Sequence, residues 1–206
     1  MDKDQRQAKR ENEILTAAHD LFLEKGLPNV TIEMIASRCN LGKGTVYNYF
    51  KSKEEIYAKL YLLHYQTLMQ TIVDVEKDHD HVPVVPRLRR HMELFADFHM
   101  EDRKRHMVLR QCQDSIDMGN LPEGTRKDLL AVNAQTYELA DNLFKTGMQE
   151  EVFRQANTRW LTRIGIAMHF GVIRNLIEFP GDMTDDEQLD YLKLTREVIL
   201  KGMRRD

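Results

Sequence analysis

The stretch TIEMIASRCNLGKGTVYNYFKSK, residues 31–53, decides the fold, because it reads as a helix, a tight turn and a second short helix. The first helix carries apolar residues at the spacing of one buried face, namely Ile32, Ile35 and Ala36. Asn40, Leu41 and Gly42 suit the turn. The second helix, residues 43–50, is small, polar and aromatic, so it offers its chemistry outward. The pattern predicts a helix-turn-helix unit that binds DNA.

Further helices flank this unit on both sides. Residues 7–25 place a stripe of apolar side chains on one face, and Gly26 is well suited to end that helix. Ser52 and Glu55 fit a capping box, which predicts the start of a long helix that leaves the unit and enters a second domain. Two prolines within residues 78–86 are expected to stop it.

Helical periodicity continues to the end of the chain, without strand-like alternation or an internal repeat. The helix over residues 123–148 is expected to turn inward Leu130, Ala134, Tyr137 and Phe144. We predict an all-α fold of about nine helices. It comprises an N-terminal three-helix DNA-binding domain (residues 1–52) and a C-terminal helical domain for ligand binding and dimerisation (residues 53–206).

The helix over residues 158–179 is apolar on most of its sides, so most of its sides should be buried. It pairs with an amphipathic last helix, which is what a symmetric helix-pair interface requires. We therefore expect a homodimer, with an interface built from Trp160, Ile164, Ala167, Gly171, Leu192 and Ile199.

Composition and charge limit the class of protein. The chain has 206 residues and a 42% hydrophobic content, enough for one sizeable core plus a small domain. The N-terminus lacks the apolar segment of a signal peptide, and no apolar run is long enough to cross a bilayer. We therefore expect a cytoplasmic protein without a membrane partner, in which Cys39 and Cys112 are reduced thiols. Residues 1–53 carry nine basic and seven acidic side chains and the remainder is net acidic, which permits DNA contact at the N-terminal end only.

Four linked blocks resemble, in order and spacing, the DNA-binding domain of the TetR family of bacterial transcriptional regulators. They are AAHDLFLEKG (17–26), VTIEMIA (30–36), LGKGTVYNYF (41–50) and SKEEIY (52–57). TGMQEEVFR (146–154) resembles the turn after the seventh helix of the family. The resemblance implies a dimeric, ligand-responsive repressor that binds a palindromic operator. In such a protein an effector changes the spacing of two helix-turn-helix units, with the long fourth helix as the lever.

The DNA contacts follow from the residue types and from this resemblance. Gly42 and Gly44 leave the start of the second helix bare, so its amides can approach a phosphate, and Lys43 adds a charge there. By resemblance, the phosphate contacts are Thr31, Tyr47, Tyr49 and Lys53, and the residues closest to the bases are Gly44, Thr45 and Asn48. Tyr47 and Tyr49 also suit packing positions that expose only the hydroxyl.

The turn departs from the common family pattern Gly-Val-Ser. Asn40 tolerates the left-handed conformation, so we expect the turn to form. Gly42 lacks the hydroxyl that often caps the following helix, which removes one expected contact.

Family logic places an effector pocket among the fourth to eighth helices. The candidates are polar residues on inward stripes: His64, His91, His99, Asn133, Tyr137 and His169. Each of the histidines also suits an ordinary core or surface position.

Two other functions fit parts of the sequence. A metal-responsive regulator is suggested by Asp78, His79, Asp80 and His81, and by the spacing of His91, His99 and His106, although closed metal sites need ligands converging from fixed elements. An architectural DNA-binding protein would need no effector. The sequence has no phosphate-binding glycine loop after a strand and no nucleophile beside a base, so we expect no catalysis and no cofactor.

Overall fold

The computed structural model describes residues 2–77 and 81–205 and shows nine α-helices in that part of the chain. Their bounds are α1 Lys3–Lys25, α2 Ile32–Arg38, α3 Lys43–Tyr49, α4 Lys53–Lys77, α5 Val84–Met100, α6 Arg103–Asp114, α7 Glu123–Gln149, α8 Thr158–Glu178 and α9 Asp185–Met203. Short 3₁₀ turns cover Leu27–Asn29 and Met118–Asn120. An isolated β-bridge joins Phe153 to Arg204, and the described residues form no strand. The predicted all-α fold is confirmed.

Helix starts follow from side chains that satisfy free amides. Asp2 and Gln5 form a capping box, so α1 begins four residues earlier than its apolar stripe indicated. Thr184 and Glu187 form a second capping box at the start of α9. Pro83 precedes α5, and Pro86 lies inside its first turn, where no intrahelical amide is needed. The break expected to last through residue 86 is therefore shorter.

The chain divides into two compact units. The first contains the residues up to Tyr65 together with Lys104–Ala131. Its core joins the helix-turn-helix segment to α6 through fully buried side chains, among them Ile14, Ile35, Val46, Ile56 and Cys112.

The second unit contains Gln66–Arg103 and the residues from Val132 onward. Its core is built by α5, α7, α8 and α9 and includes Val84, Phe144, Phe153, Leu200 and Met203. The predicted division at residues 52 and 53 separates functions and stays a prediction, whereas these units are defined by packing.

Helix α7 turns a different face inward from the one expected. Leu130 is 56% exposed, Tyr137 is 38% exposed and Ala134 is also at the surface, so of the four expected residues only Phe144 is buried. The buried face consists of Leu129, Val132, Leu143, Phe144 and Met148. The helix carries apolar residues on two faces, and tertiary packing selects between them.

None of the helices in the described part of the chain combines the length and the hydrophobicity that a membrane span requires.

Candidate DNA interface and ligand cavity

The turn between α2 and α3 has the geometry that Asn40 was expected to supply. Asn40 lies in the left-handed region at φ 56°. The amide of Leu41 donates to the carbonyl of Ala36 over 2.8 Å and closes the turn. Gly42 precedes α3 with no side-chain cap, as its missing hydroxyl predicted. The amides at the start of α3 are therefore left to another partner, such as a phosphate.

Helix α3 divides its side chains between the core and the surface. Val46 is fully buried, and Tyr49 is half-buried against the same core. Tyr47 and Asn48 are exposed, and a Cβ added to Gly44 would meet no atom within 4 Å. The outward face thus offers an amide, a phenol and a bare stretch of backbone, which suit base edges and phosphates. Thr45 is half-buried beside them.

The amino-terminal ends of α2 and α3 are connected by a charge pair. Lys43 forms an ion pair with Glu33 and lies 5.9 Å from the ring centre of Tyr47. The hydrogen bond from Lys43 lowers the pKa of Glu33. The hydroxyl of Thr31 accepts from the amide of Met34 over 3.3 Å, so this predicted DNA contact also caps α2. Both groups are exposed, and a phosphate can compete for Lys43.

Lys53 is directed toward Leu27 within the first unit. Its ammonium donates to the carbonyl of Leu27 over 2.7 Å and lies 5.6 Å from the ring centre of Tyr57. Burial lowers the pKa of Lys53. Lys51, which sequence reasoning did not select, is exposed at the end of α3, where its ammonium lies 3.4 Å from the carbonyl of Tyr47. Its signal in the sequence was a cation immediately after the short helix.

A buried carboxylate fixes the junction between α3 and α4. The hydroxyl of Ser52 accepts from the amide of Glu55 over 3.2 Å, as the capping box predicted. The carboxylate of Glu55, however, accepts from the amide of Lys51 over 2.6 Å and from the hydroxyl of Thr125 over 3.2 Å. Glu55 therefore ties the end of the helix-turn-helix segment to α7 within the first unit.

The second unit contains an apolar cavity of about 90 Å³. Helices α4, α5, α7, α8 and α9 all contribute to it. Its lining consists of Met69, Ile72, Leu88, His91, Met92, Phe95, Thr136, Leu139, Ala140, Phe144, Thr162, Gly165, Ile166, His169 and Ile199. Among these described residues none is Lys, Arg, Asp or Glu.

A charge network stands behind one wall of the cavity. Glu76 lies 2.8 Å from Nε2 of His91 and 2.5 Å from the guanidinium of Arg87. Burial alone would raise the pKa of Glu76, but the hydrogen bond from Arg87 and, in acid where His91 is protonated, the charge of His91 outweigh it and lower the pKa. Burial lowers the pKa of His91, and Glu76 opposes that shift only in part. At neutral pH the wall therefore presents a neutral imidazole to the cavity.

Two further polar side chains in the lining come from α8. His169 Nε2 lies 2.8 Å from the carbonyl of Met92, which can only accept, so Nε2 carries the proton and Nδ1 is an acceptor. Burial lowers the pKa of His169 to about 4. Nδ1 of His169 and the hydroxyl of Thr162 are buried and have no partner in the part of the chain that the structure describes.

Comparison with known proteins decides the identity of this fold. Residues 14–60 match the model of the bacterial regulatory proteins of the tetR family, and residues 81–174 match that of the tetracyclin repressor-like C-terminal domain. The chain belongs to the TetR family of transcriptional regulators. The match to the first model contains α2 and α3.

Relatives and solved structures agree with this assignment. An uncharacterized HTH-type transcriptional regulator of Bacillus subtilis, YhgD, is 31% identical over 114 residues, covering 54% of this chain and 56% of the relative. A second from that organism, YerO, is 25% identical over 201 residues, covering 95% of this chain and 66% of the relative. The chain thus spans just over half of YhgD and just under two thirds of YerO.

Two solved structures share the fold. The TetR family regulator PfmR from Thermus thermophilus has a TM-score of 0.68 at 26% identity, covering 93% of this chain and 99% of that one. The fatty acid degradation regulator FadR from Bacillus halodurans has a TM-score of 0.72 at 18% identity, covering 96% and 97%. At that identity the second likeness concerns the fold alone.

The residues predicted to bind a ligand are distributed over several places in this TetR-family chain. His91 and His169 line the cavity. His99 is buried against Phe95 and Phe170 outside the lining, and Asn133 is exposed. His64 belongs to the first unit, where its ring lies 5.5 Å from that of His19. Tyr137 lines an open surface groove with Arg163.

Most of the cavity lining is apolar and was not selected from the sequence. Met69, Ile72 and Met92 carried only the ordinary helical spacing of core residues, which does not distinguish a cavity wall from a filled core. Thr136 and Thr162 were the polar residues missed, and their threonine hydroxyls on inward stripes were the available signal.

An apolar face runs along α8 and α9 at the surface of the second unit. Trp160 is 69% exposed and Ile164 52%, and Ala167 and Gly171 are exposed beside them. Leu192 and Ile199, which the sequence assigned to the dimer interface, are instead buried in the core of one chain. The exposed residues of α9 on this face are Tyr191, Leu194 and Val198. We refer to the exposed residues of both helices as the α8–α9 face.

The structure describes only some of the residues considered for metal binding. Asp78, His79 and Asp80 lie outside the described residues, and His81 is exposed. Within residues 2–77 and 81–205, no three His, Cys, Asp or Glu side chains are grouped so that they could hold a metal ion.

Proposed function

We propose that this TetR-family protein is a dimeric repressor that binds a palindromic operator and releases it when a small molecule enters the cavity. The observation that carries the proposal is the apolar cavity with a few polar groups, which is the usual form of a small-molecule site. An architectural DNA-binding protein without an effector would need no such cavity.

Helix α4 supplies a route from the cavity to the DNA-binding segment. It begins at Lys53, directly after the helix-turn-helix segment, and its later residues Met69 and Ile72 line the cavity. A molecule in the cavity touches the same helix whose Glu55 accepts from the amide of Lys51, just after α3. If α4 can take two positions and the effector binds one of them more tightly, effector binding shifts α4 toward that position and changes the affinity for DNA.

A dimer would explain how the protein binds a palindromic operator. A large exposed apolar face marks an interaction site. In a dimer with twofold symmetry, the α8–α9 face of one copy packs against the same face of the other. Two α3 helices related by that axis would read two half-sites of an inverted repeat. Gly171 has open space around its Cβ position, which leaves room for close approach of a partner helix.

A gel-shift experiment tests this proposal. The purified chain is titrated against the promoter beside its own gene, first alone and then with a library of small molecules. We expect a shifted complex that contains two chains, and we expect at least one small molecule to dissociate it. A complex that forms but resists every molecule stabilising the protein in a thermal-shift screen would contradict the effector role.

A further inference from the structure

Among the described residues, Nδ1 of His169 and the hydroxyl oxygen of Thr162 are polar atoms of the cavity lining that have no partner. His169 and Thr162 are 4% and 2% exposed, and both line the cavity. Buried polar groups in proteins are almost always hydrogen-bonded, so two in one cavity indicate groups kept for a ligand. Thr136, in the same lining, differs because its hydroxyl already donates to the carbonyl of Val132 over 3.1 Å.

The two atoms require different things of a ligand. Nδ1 of His169 has a lone pair and no proton, because Nε2 holds the proton toward Met92, so it needs a donor. The hydroxyl of Thr162 can donate or accept. Seven residues separate them on α8, which is about 10 Å along the helix axis.

The remainder of the lining selects against charge. The described residues that line the cavity include no cationic side chain. Arg87 behind the wall is already paired with Glu76, and the buried Arg196, whose charge acts on His169, lies outside the lining. A carboxylate entering this cavity would lose its hydration without contacting a cation of the lining. Met69 and Met92 have flexible side chains, and their movement can enlarge the cavity for a ligand that needs more than about 90 Å³.

We propose that the effector is an uncharged, largely apolar, elongated molecule that carries a hydroxyl group at one end, donated to His169 Nδ1, and a second polar group that meets Thr162. This inference rests on the proposed function, because it describes the ligand of the same cavity. The second polar group lies about two helical turns from the first.

Four probes of similar length test it by NMR titration of the full-length protein: 1-hexanol, its isomer dipropyl ether, 1,6-hexanediol and hexanoate. Dipropyl ether accepts but cannot donate. We expect 1-hexanol to bind roughly five- to tenfold more tightly than dipropyl ether or hexanoate, because only the alcohol satisfies His169 without bringing a charge. The nitrogen resonance of His169 Nδ1 should shift with the alcohols and stay unchanged with the ether.

Matched variants test the second polar atom. Thr162→Val should weaken the binding of 1,6-hexanediol roughly five- to tenfold, since it leaves one buried hydroxyl of the diol unpaired. The affinity for 1-hexanol should change less than twofold. Thr136→Val is the control and should affect neither alcohol, because the hydroxyl of Thr136 is already bonded within α7.

The outcomes separate this inference from the proposed function. Equal binding of alcohol and ether, or preferred binding of hexanoate, overturns the inference and leaves an effector cavity in place. Absence of binding by all four probes overturns both. Alcohol preference with a shifted His169 resonance and a selective Thr162→Val effect supports the inference.

Discussion

At the scale of single residues, two lysines of the helix-turn-helix segment and its junction with α4 have different hydrogen-bond partners. Lys43 is held by an exposed carboxylate that a phosphate can replace, whereas Lys53 is held by the backbone carbonyl of Leu27. The two are alike in the sequence, since Lys43 begins α3 and Lys53 begins α4 a few residues after α3 ends. Their hydrogen-bond partners give them different expected effects.

Replacing Lys43 with Ala should weaken binding to every DNA sequence and reduce the slope of log affinity against log salt by about one, because one phosphate contact is lost. Fluorescence anisotropy at several salt concentrations measures this. Lys145→Ala, at an exposed site in the second unit, is the control. An unchanged salt slope in Lys43→Ala would remove Lys43 from the interface.

Replacing Lys53 with Ala should lower the free energy of unfolding by about 1 kcal/mol, because the hydrogen bond to Leu27 is lost. Urea denaturation measures the change. Lys51→Ala, whose ammonium is exposed, should leave the unfolding free energy within about 0.5 kcal/mol of the wild type. Equal stability of the two variants would show that the inward bond of Lys53 contributes nothing.

The buried imidazole of His169 predicts a pH dependence of stability. Its folded pKa, about 4, lies below its ordinary value of 6.5, so the stabilisation is fully present above pH 6.5 and is lost as pH falls toward 4. The loss should approach roughly 3 kcal/mol over that window, since each pKa unit corresponds to about 1.4 kcal/mol. Burial lowers the pKa of His91 as well, so it acts in the same direction.

Urea unfolding at pH 7.5, 6 and 5 measures this dependence, with His169→Phe as the comparison. The variant should show a shallower fall in unfolding free energy with decreasing pH, whatever its stability at pH 7.5. Parallel curves for the two proteins would contradict a neutral, buried His169.

At the scale of elements, residue types set the local structure most firmly where a conformation is special. Asn40 was expected to tolerate the left-handed conformation, so that the turn could form, and it adopts that conformation. Gly42 was predicted to leave α3 without a side-chain cap, and it does so. The buried face of α7 could not be predicted from the sequence, because its apolar residues lie on two faces and only packing decides which one is buried.

The cavity was similarly hard to foresee. Its walls share the helical spacing of ordinary core residues, and a missing volume leaves no mark in the sequence. His91 and His169 could be selected because a histidine on an inward stripe is unusual. Tyr137 and Asn133 were also predicted as polar residues on an inward stripe. They lie outside the cavity, since the inward face of α7 was misassigned.

The turn gives a paired prediction. Asn40→Ala should reduce stability by about 1 kcal/mol, because Ala is strained at φ 56°, whereas Asn40→Gly should be neutral or slightly stabilising. Thermal denaturation of both variants measures the difference. An Ala variant as stable as the Gly variant would mean that the turn relaxes to another conformation.

At the scale of the whole molecule, the α8–α9 face is an exposed apolar surface. It exposes Trp160, Ile164, Leu194 and Val198, each more than half accessible in one chain. The sequence could predict that α8 is apolar on most sides, and the expectation that its exposed side is covered in a dimer stays a prediction. It could not assign α9 correctly, because Leu192 and Ile199 are as apolar as the exposed residues and only the packed core distinguishes them.

Ile164→Arg should convert the proposed dimer to a monomer and abolish operator binding at protein concentrations that saturate the wild type, because a charge buried at a twofold interface would face its own copy. Analytical ultracentrifugation measures the mass. Lys193→Glu is the control, since it lies one residue, about 100° around the helix, from Leu194 and is already exposed. A dimeric Ile164→Arg protein would place the interface elsewhere.

Whether two copies of this chain read an inverted repeat is tested most directly by selecting binding sites from random double-stranded DNA with the purified chain, followed by sequencing. We expect an enriched inverted repeat whose half-sites are related by a twofold axis. We also expect Asn48→Ala to change the preferred bases at the same positions in both half-sites. Enrichment of no sequence, or of a single half-site that Asn48→Ala leaves unchanged, would contradict a dimeric regulator that reads DNA through α3.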